Sequence, residues 1–297
     1  METARAISDV VSTGSFFGEY IPRHCAANGL DAAPFMNPDA VPDAAVCPHC
    51  GALLPYPKLT GPDGEFWGWR PIPEPCQNPR CRKLEAEAEK RRKRNERMAK
   101  LPELIARSGV PAGYRDKTTR NYSAANPILA EARQLVLEYI GWLNGDLPSG
   151  GLYLTGGVGT GKTHLAVAIA RGALWYGHTV QFTSTISLMR AIKREMDGGD
   201  MESLMRRYEN TGLLVLDDIG KEYATPWALS QLSDIIGARY AAERPVVYTS
   251  NYALDGNSGL AQALAQQGGL DSAEAIVSRI KGSTQVVKML GEDWRRK

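Results

Sequence analysis

The sequence predicts a three-layer α/β domain with a mostly parallel sheet from about residue 108 onward, and three observations predict it. Short apolar runs alternate with helical stretches through that region. A loop of the form G-x-x-x-x-G-K-[ST] falls between the first such run and the first such helix. A later apolar run ends in two adjacent carboxylates, at the end of a strand where ligands of open α/β sheets bind.

Five strands are expected, at Gly151–Thr155, Thr179–Thr183, Gly212–Asp217, Pro245–Ser250 and Gln285–Met289. Helices are expected between or beside them at Lys162–Tyr176, Thr185–Met196, Pro226–Ala242 and Asp271–Lys281. Ahead of this region the composition changes twice. Residues 1–81 are rich in Pro, Gly and Cys with little helical periodicity, which suits a small module held by something other than a large core. Residues 82–107 read as a charged helical linker that Pro102 should break near its end. The expected domains are therefore 1–81, 82–107 and 108–297.

The chain has 297 residues, 43% of them hydrophobic, enough for proper cores in one or two domains. A formal net charge of +2 predicts no nucleic-acid partner by itself. The charge is uneven, however: Arg82 to Lys100 holds nine basic residues against four acidic ones. No apolar run is long enough to span a bilayer, and the N-terminus lacks a basic start followed by an apolar stretch. The expectation is a soluble, cytoplasmic protein with no membrane partner, in which clustered cysteines favour metal over disulfides.

In the loop Gly156-Gly157-Val158-Gly159-Thr160-Gly161-Lys162-Thr163, the glycines allow consecutive N–H groups to turn inward around a phosphate. The following helix adds its positive end. Lys162 is the residue to neutralise the β- and γ-phosphates of ATP, and the Thr163 hydroxyl a ligand for Mg²⁺. Leu213-Leu214-Val215-Leu216-Asp217-Asp218 supplies the other half of the site. Its four apolar residues make a strand buried on both faces. Asp217 is expected in the Mg²⁺ shell and Asp218 as the base that orients and deprotonates water. Val246-Val247-Tyr248-Thr249-Ser250-Asn251 ends another buried strand, and Asn251 is placed to sense the γ-phosphate or its water. Arg279 sits on a late helix, where an arginine is ordinarily a solvated charge.

Together, Gly159-Thr160-Gly161-Lys162-Thr163-His164-Leu165-Ala166, Leu216-Asp217-Asp218-Ile219-Gly220, Tyr248-Thr249-Ser250-Asn251 and Ser278-Arg279-Ile280 closely resemble the DnaC/DnaI/IstB branch of AAA+ proteins. Ser108 to Tyr114, with Thr118 and Tyr122, resembles the segment leading into their ATPase core, so the likeness covers roughly residues 104–297. The branch comprises helicase loaders and transposition helper ATPases that assemble into spirals with ATP between neighbours. The resemblance implies an AAA+ P-loop NTPase core without a C-terminal lid and self-assembly into an ATP-dependent oligomer. It implies that Arg279 is an arginine finger reaching a neighbour's γ-phosphate. It also implies that Arg295, or Arg296 beside it, is a second sensor. Most AAA+ proteins carry Glu where Asp218 stands, and the shorter side chain implies slow hydrolysis unless a partner completes the site.

Cys47-Pro48-His49-Cys50 and Cys76-Gln77-Asn78-Pro79-Arg80-Cys81 form C-x2-C and C-x4-C knuckles. Four thiolates suit a closed, structural Zn²⁺ site that replaces the missing core, and His49 is an alternative ligand. Cys25 is left over as a structural residue. Phe66, Trp67 and Trp69 between the knuckles offer base stacking, a partner grip or packing of the module itself. In DnaI-like loaders the comparable domain contacts the helicase, which favours the partner. The basic helix to Lys100 reads more readily as a connector than as a phosphate contact. Arg190, Lys193 and Arg194 lie where the resemblance implies a pore that tracks single-stranded DNA, although an exposed amphipathic helix explains those charges equally.

Three functions compete. The first is a loader that hydrolyses ATP while delivering a replicative hexameric DNA helicase onto single-stranded DNA. The second is a transposition helper ATPase acting with a transposase on duplex DNA. The third is a small-molecule P-loop kinase, in which Asn251 and Arg279 have no role. The zinc module favours the first.

Overall fold

The computed structural model describes residues 15–39, 41–60, 62, 64–196, 198–220, 226–256 and 259–294, and the chain folds as two compact units, 1–94 and 95–297.

The first unit has two small cores instead of one large one. Helix α1 (Ser15–Ala27) carries Ile21 and Cys25 against Phe35, which lies on the single turn α2 (Ala33–Met36). Tyr56 and Trp69 close over that cluster. Its strands are short: β1 (Ala45–Val46) pairs with β2 (Leu53–Leu54), and β3 (Lys58–Thr60) pairs with β4 (Phe66–Trp69), both antiparallel. The second core is Cys47, Cys76 and Cys81 with Leu54 against them. Residues 1–81 contain a helix, α1, of whose described residues Ile21 and Cys25 are buried. Trp69 takes part in packing the module, one of the roles open to it, donating from Nε1 to the Asn37 carbonyl at 3.3 Å and meeting Phe66 edge-on.

Helix α3 (Pro79–Arg107) begins with the Asn78 side chain accepting from the Arg80 N–H and runs across the boundary between the units. Its exposed middle is laced by ion pairs of Glu89 with Arg92 and Lys93. Pro102 does not break it, contrary to the sequence expectation. Proline removes one helical N–H and crowds the carbonyl a turn earlier. The turns on either side nevertheless bury Ile105 and pack Leu101 on the core of the second unit, and that burial outweighs the local cost.

The second unit is a five-stranded, wholly parallel sheet in the order β6-β7-β8-β5-β9, formed by β5 (Gly151–Gly156), β6 (Val180–Ser184), β7 (Leu213–Asp217), β8 (Val246–Ser250) and β9 (Thr284–Met289). All five expected strands are present. Along them, alternate residues enter opposite cores: Leu152, Leu154, Leu213, Val215 and Val247 one, Tyr153, Leu214, Leu216, Val246 and Tyr248 the other. The first core is covered by α4 (Pro127–Trp142) and α5 (Lys162–Tyr176). The second is covered by α6 (Thr185–Met196), α7 (Met201–Asn210), α8 (Pro226–Ala241), α9 (Leu260–Gly268) and α10 (Leu270–Ser283).

Helices α4, α7 and α9 were not expected. The first two are nevertheless signalled locally: Asn126 caps α4 by accepting from the Leu129 N–H with Pro127 in the first turn, and Asp200 caps α7 by accepting from the Ser203 N–H. Arg239, fully buried on α8, donates to the carbonyls of Tyr208, Glu209, Thr211, Gly212 and Pro245. It thereby ties the end of α7 and the approach to β7 to the start of β8. Burial lowers its guanidinium to about 10, still charged at neutral pH.

Candidate nucleotide site and metal centre

The C-terminal ends of β5, β7 and β8 meet at a cleft of about 400 Å³. The loop Gly156–Thr163 leaves β5 there and turns into α5, so the first N–H groups of a 15-residue helix face the cleft. Two glycines are required by contact as well as conformation. Gly159 has φ +76, and a Cβ on it would lie 1.7 Å from the Asp293 carboxylate; Gly161 has φ +87, and a Cβ would lie 2.5 Å from the Tyr122 ring. Lys162 folds over the loop and donates from Nζ to the carbonyls of Gly156 and Gly157, at 2.9 and 2.7 Å.

Opposite the loop, the end of β7 brings two carboxylates to the same place. The Thr163 hydroxyl donates to Asp217 at 2.9 Å, which joins the two residues expected around Mg²⁺ although they are 54 positions apart. Asp217 is buried and also receives the Thr249 hydroxyl at 2.6 Å. The same Thr249 oxygen accepts the Asp218 N–H at 2.8 Å, and the Asp218 carbonyl accepts the Thr185 hydroxyl at 3.0 Å. Asp218 has φ +58, a left-handed conformation that Asp tolerates better than most residues. Hydrogen bonds on both sides of its backbone hold it there. Asn251 lines the cleft together with Lys162, Thr163 and Asp218.

The other walls are Gly113, Tyr114, Lys117, Val158, His164 and Trp294. The segment before α4 is pinned across the loop: Tyr122 donates its hydroxyl to the Thr160 carbonyl at 2.7 Å, and its ring meets His164 edge-on. His164 Nε2 lies 2.8 Å from the Thr118 carbonyl and 3.1 Å from Asn121 Oδ1, so Nε2 carries the proton. Burial holds the imidazole below its usual range, against the opposing effect of the Thr118 carbonyl. A larger hollow of about 720 Å³ opens at the N-terminal ends of β5 and β9 beside Arg239 and Tyr240. It contains none of the residues with which phosphate chemistry is expected.

Arg279 and the three expected DNA contacts lie away from the cleft. Arg279, half-buried on α10, lies over Gly237 and donates to the Ser233 hydroxyl at 3.3 Å. Arg190, Lys193 and Arg194 form the exposed face of α6, whose other face buries Leu188 and Ile192. Arg295 lies outside the described residues. Thr249, Thr185 and Trp294 were missed as site residues. The signal for Thr249 was present: it is a hydroxyl fully buried in an otherwise apolar strand, one place before a polar end.

In the first unit, the sulfurs of Cys47, Cys50, Cys76 and Cys81 all lie within 4.8 Å of one another, with Cys50 and Cys76 at 3.6 Å. A tetrahedral zinc with bonds of about 2.3 Å sets sulfurs roughly 3.8 Å apart, so the donor set fits that ion and is too widely spaced for disulfides. No histidine belongs to the cluster among the described residues. The knuckle Cys47–Gly51 closes through the Gly51 N–H to the Cys47 carbonyl at 3.0 Å, and Cys47 donates its own N–H to Ala52. The His49 N–H, chief among several donors, pulls the Cys47 thiol down to about 7; burial and the neighbouring thiols push Cys81 up to about 12. Cys25 lies in the other core of the unit, away from the cluster.

The parallel order of the sheet and the phosphate loop facing paired acids define the ATP-binding core of an AAA+ P-loop protein. Residues 129–297 match the family described as "IstB-like ATP binding protein", and the chain belongs to that family. It is 29% identical over 164 residues to the replicative helicase loader DnaC of Escherichia coli K12, covering 53% of this chain and 64% of that protein. It is 28% identical over 106 residues to the replicative helicase loader DnaI of Bacillus subtilis, covering 35% and 34%. The chain thus spans less than two thirds of the length of these relatives. Among solved structures, the DnaC helicase loader aligns with TM-score 0.52 and 27% identity over 60% of this chain and 99% of that one. A DnaI crystal structure shares the fold, with TM-score 0.52 at 21% identity over 61% and 95%. No described helix is long and apolar enough to cross a membrane.

Proposed function

We propose that this chain binds ATP with Mg²⁺, hydrolyses it, and uses the cycle to deliver a replicative hexameric helicase onto single-stranded DNA. The observation that carries the nucleotide half is the Thr163–Asp217–Thr249–Asp218 network facing Lys162. In this reading the loop amides and Lys162 cradle the phosphates, and Thr163 and Asp217 hold Mg²⁺, which supplies charge neutralisation at the γ-phosphate. Asp218 orients and deprotonates the attacking water, with Asn251 positioning it. Arg279, away from the cleft of its own chain, acts on a neighbour's γ-phosphate, so activity depends on self-assembly. Arg295 is the proposed second sensor.

The loader half rests on the likeness to DnaC and DnaI. The exposed Arg190, Lys193 and Arg194 contact the strand, and the four-cysteine module, closed by Zn²⁺, grips the helicase. The proposed division is residues 1–81 for the partner, 82–107 as linker and 108–297 for the ATPase, in the cytoplasm. The transposition-helper reading keeps one specific support, the IstB-like family itself.

The test sets the full chain against a replicative hexameric helicase and against an IS21-type transposase, and measures ATP-dependent binding of single-stranded and duplex oligonucleotides. Capture of the helicase with preference for single strands, weakened in the Arg190, Lys193 and Arg194 triple alanine variant, supports the loader. Capture of the transposase with preference for duplex overturns it.

A further inference from the structure

Beyond β9 the chain continues as Leu290-Gly291-Glu292-Asp293-Trp294, a stretch too short and too polar to form a core of its own. It is nevertheless fastened at three points. The Asn126 side chain that caps α4 also donates to the Leu290 carbonyl at 2.9 Å. Gly291 lies close against Asn126 and Leu129, with room for a Cβ only at 3.1 Å from each. Asp293 sits directly on Gly159 of the phosphate loop, where any side chain at 159 would strike it, and the Trp294 N–H donates to the Gly159 carbonyl at 3.3 Å. The capping residue of one helix and the tip of the phosphate loop are thereby joined through residues 290–294.

That fastening delivers an indole to the cleft. Trp294 lines it together with Tyr114 and His164, in the same cleft as Lys162, Thr163 and Asp218. Trp294 is 55% exposed, although burial of so large an apolar ring is the ordinary outcome. A planar apolar face exposed in the cleft that also holds the expected phosphate-binding residues is suited to one part of a nucleotide, the base.

We propose that Leu290–Trp294 is a strap laid across the phosphate loop, and that Trp294 is the wall on which the base of the bound nucleotide stacks. The inference deepens the nucleotide reading above and rests on it. Stacking of one base on an aromatic side chain contributes roughly five- to hundredfold in affinity. It contributes nothing toward a ligand without a base, so Trp294 separates base recognition from phosphate recognition.

The experiment is calorimetric titration of the full chain, as wild type, Trp294→Ala and Trp294→Phe, with Mg-ATP and with inorganic tripolyphosphate. Trp294→Ala should bind ATP about tenfold more weakly while tripolyphosphate affinity stays within about twofold, and Trp294→Phe should retain most of the ATP affinity. Because tripolyphosphate reads the loop directly, it also reports whether each variant keeps a folded site. Equal weakening toward both ligands would mean that the strap only braces the loop, and no weakening toward either would mean that Trp294 faces no base; both overturn the inference. If wild type binds neither ligand, the nucleotide reading itself falls, and the inference with it.

Discussion

Thr249→Val is the sharpest probe of how the site is held. Threonine and valine share the same β-branched shape, so the change removes one hydroxyl and little else. That hydroxyl is fully buried, donates to Asp217 at 2.6 Å and accepts the Asp218 N–H at 2.8 Å. The first bond, to a carboxylate, contributes about 1.5–3 kcal/mol, and the second about 1 kcal/mol. A loss of about 3 kcal/mol is therefore expected, which for a domain of this size lowers the melting temperature by roughly 5–12 °C. Asp217 keeps the Thr163 hydroxyl, so nucleotide affinity should fall little. Asp218, at φ +58, loses a hydrogen bond that fixes its backbone, and hydrolysis should drop by about a hundredfold, the scale of a displaced general base. Thr249→Ser, which restores the hydroxyl, should recover most of both. Scanning fluorimetry and steady-state phosphate release on the two variants make the comparison. Unchanged turnover in Thr249→Val, or a serine variant as impaired as valine, would refute the view that this hydroxyl positions the paired carboxylates.

Two further outcomes are expected. Protein purified without chelators should carry about one zinc per chain by metal analysis, and Cys47→Ser or chelation should lower that content and expose the first unit to proteolysis while ATP binding persists. His164 should make the second unit acid-sensitive. Its folded pKa is depressed, so the folded state binds fewer protons than the unfolded chain, and stability is lost as pH falls through the unfolded value of about 6.5. Denaturation curves between pH 8 and pH 5 should show that loss, and His164→Gln should reduce it.

The sequence by itself determined the sheet and most of the residues that gather at the cleft. Strands such as Leu213–Leu216 are apolar on both faces because both faces are covered, and no other environment suits such a run. The glycine pattern of the loop is legible because backbone that closes on a phosphate tolerates few side chains, and the cysteine spacing is legible because each short pair sets two sulfurs on one turn. What the sequence could not decide were effects that depend on distant neighbours. The helix through Pro102 persists because Ile105 and Leu101 find a core that local propensity does not see. Thr249 gains its place from the register of β7 beside β8, which sets its hydroxyl between two carboxylate residues some 31–32 positions away. Trp294 follows nothing in the sequence that announces a binding wall. Only the closing of β9 against β5 lays the strap on Gly159, and only the bare glycine there gives Asp293 room to bring the indole to the cleft.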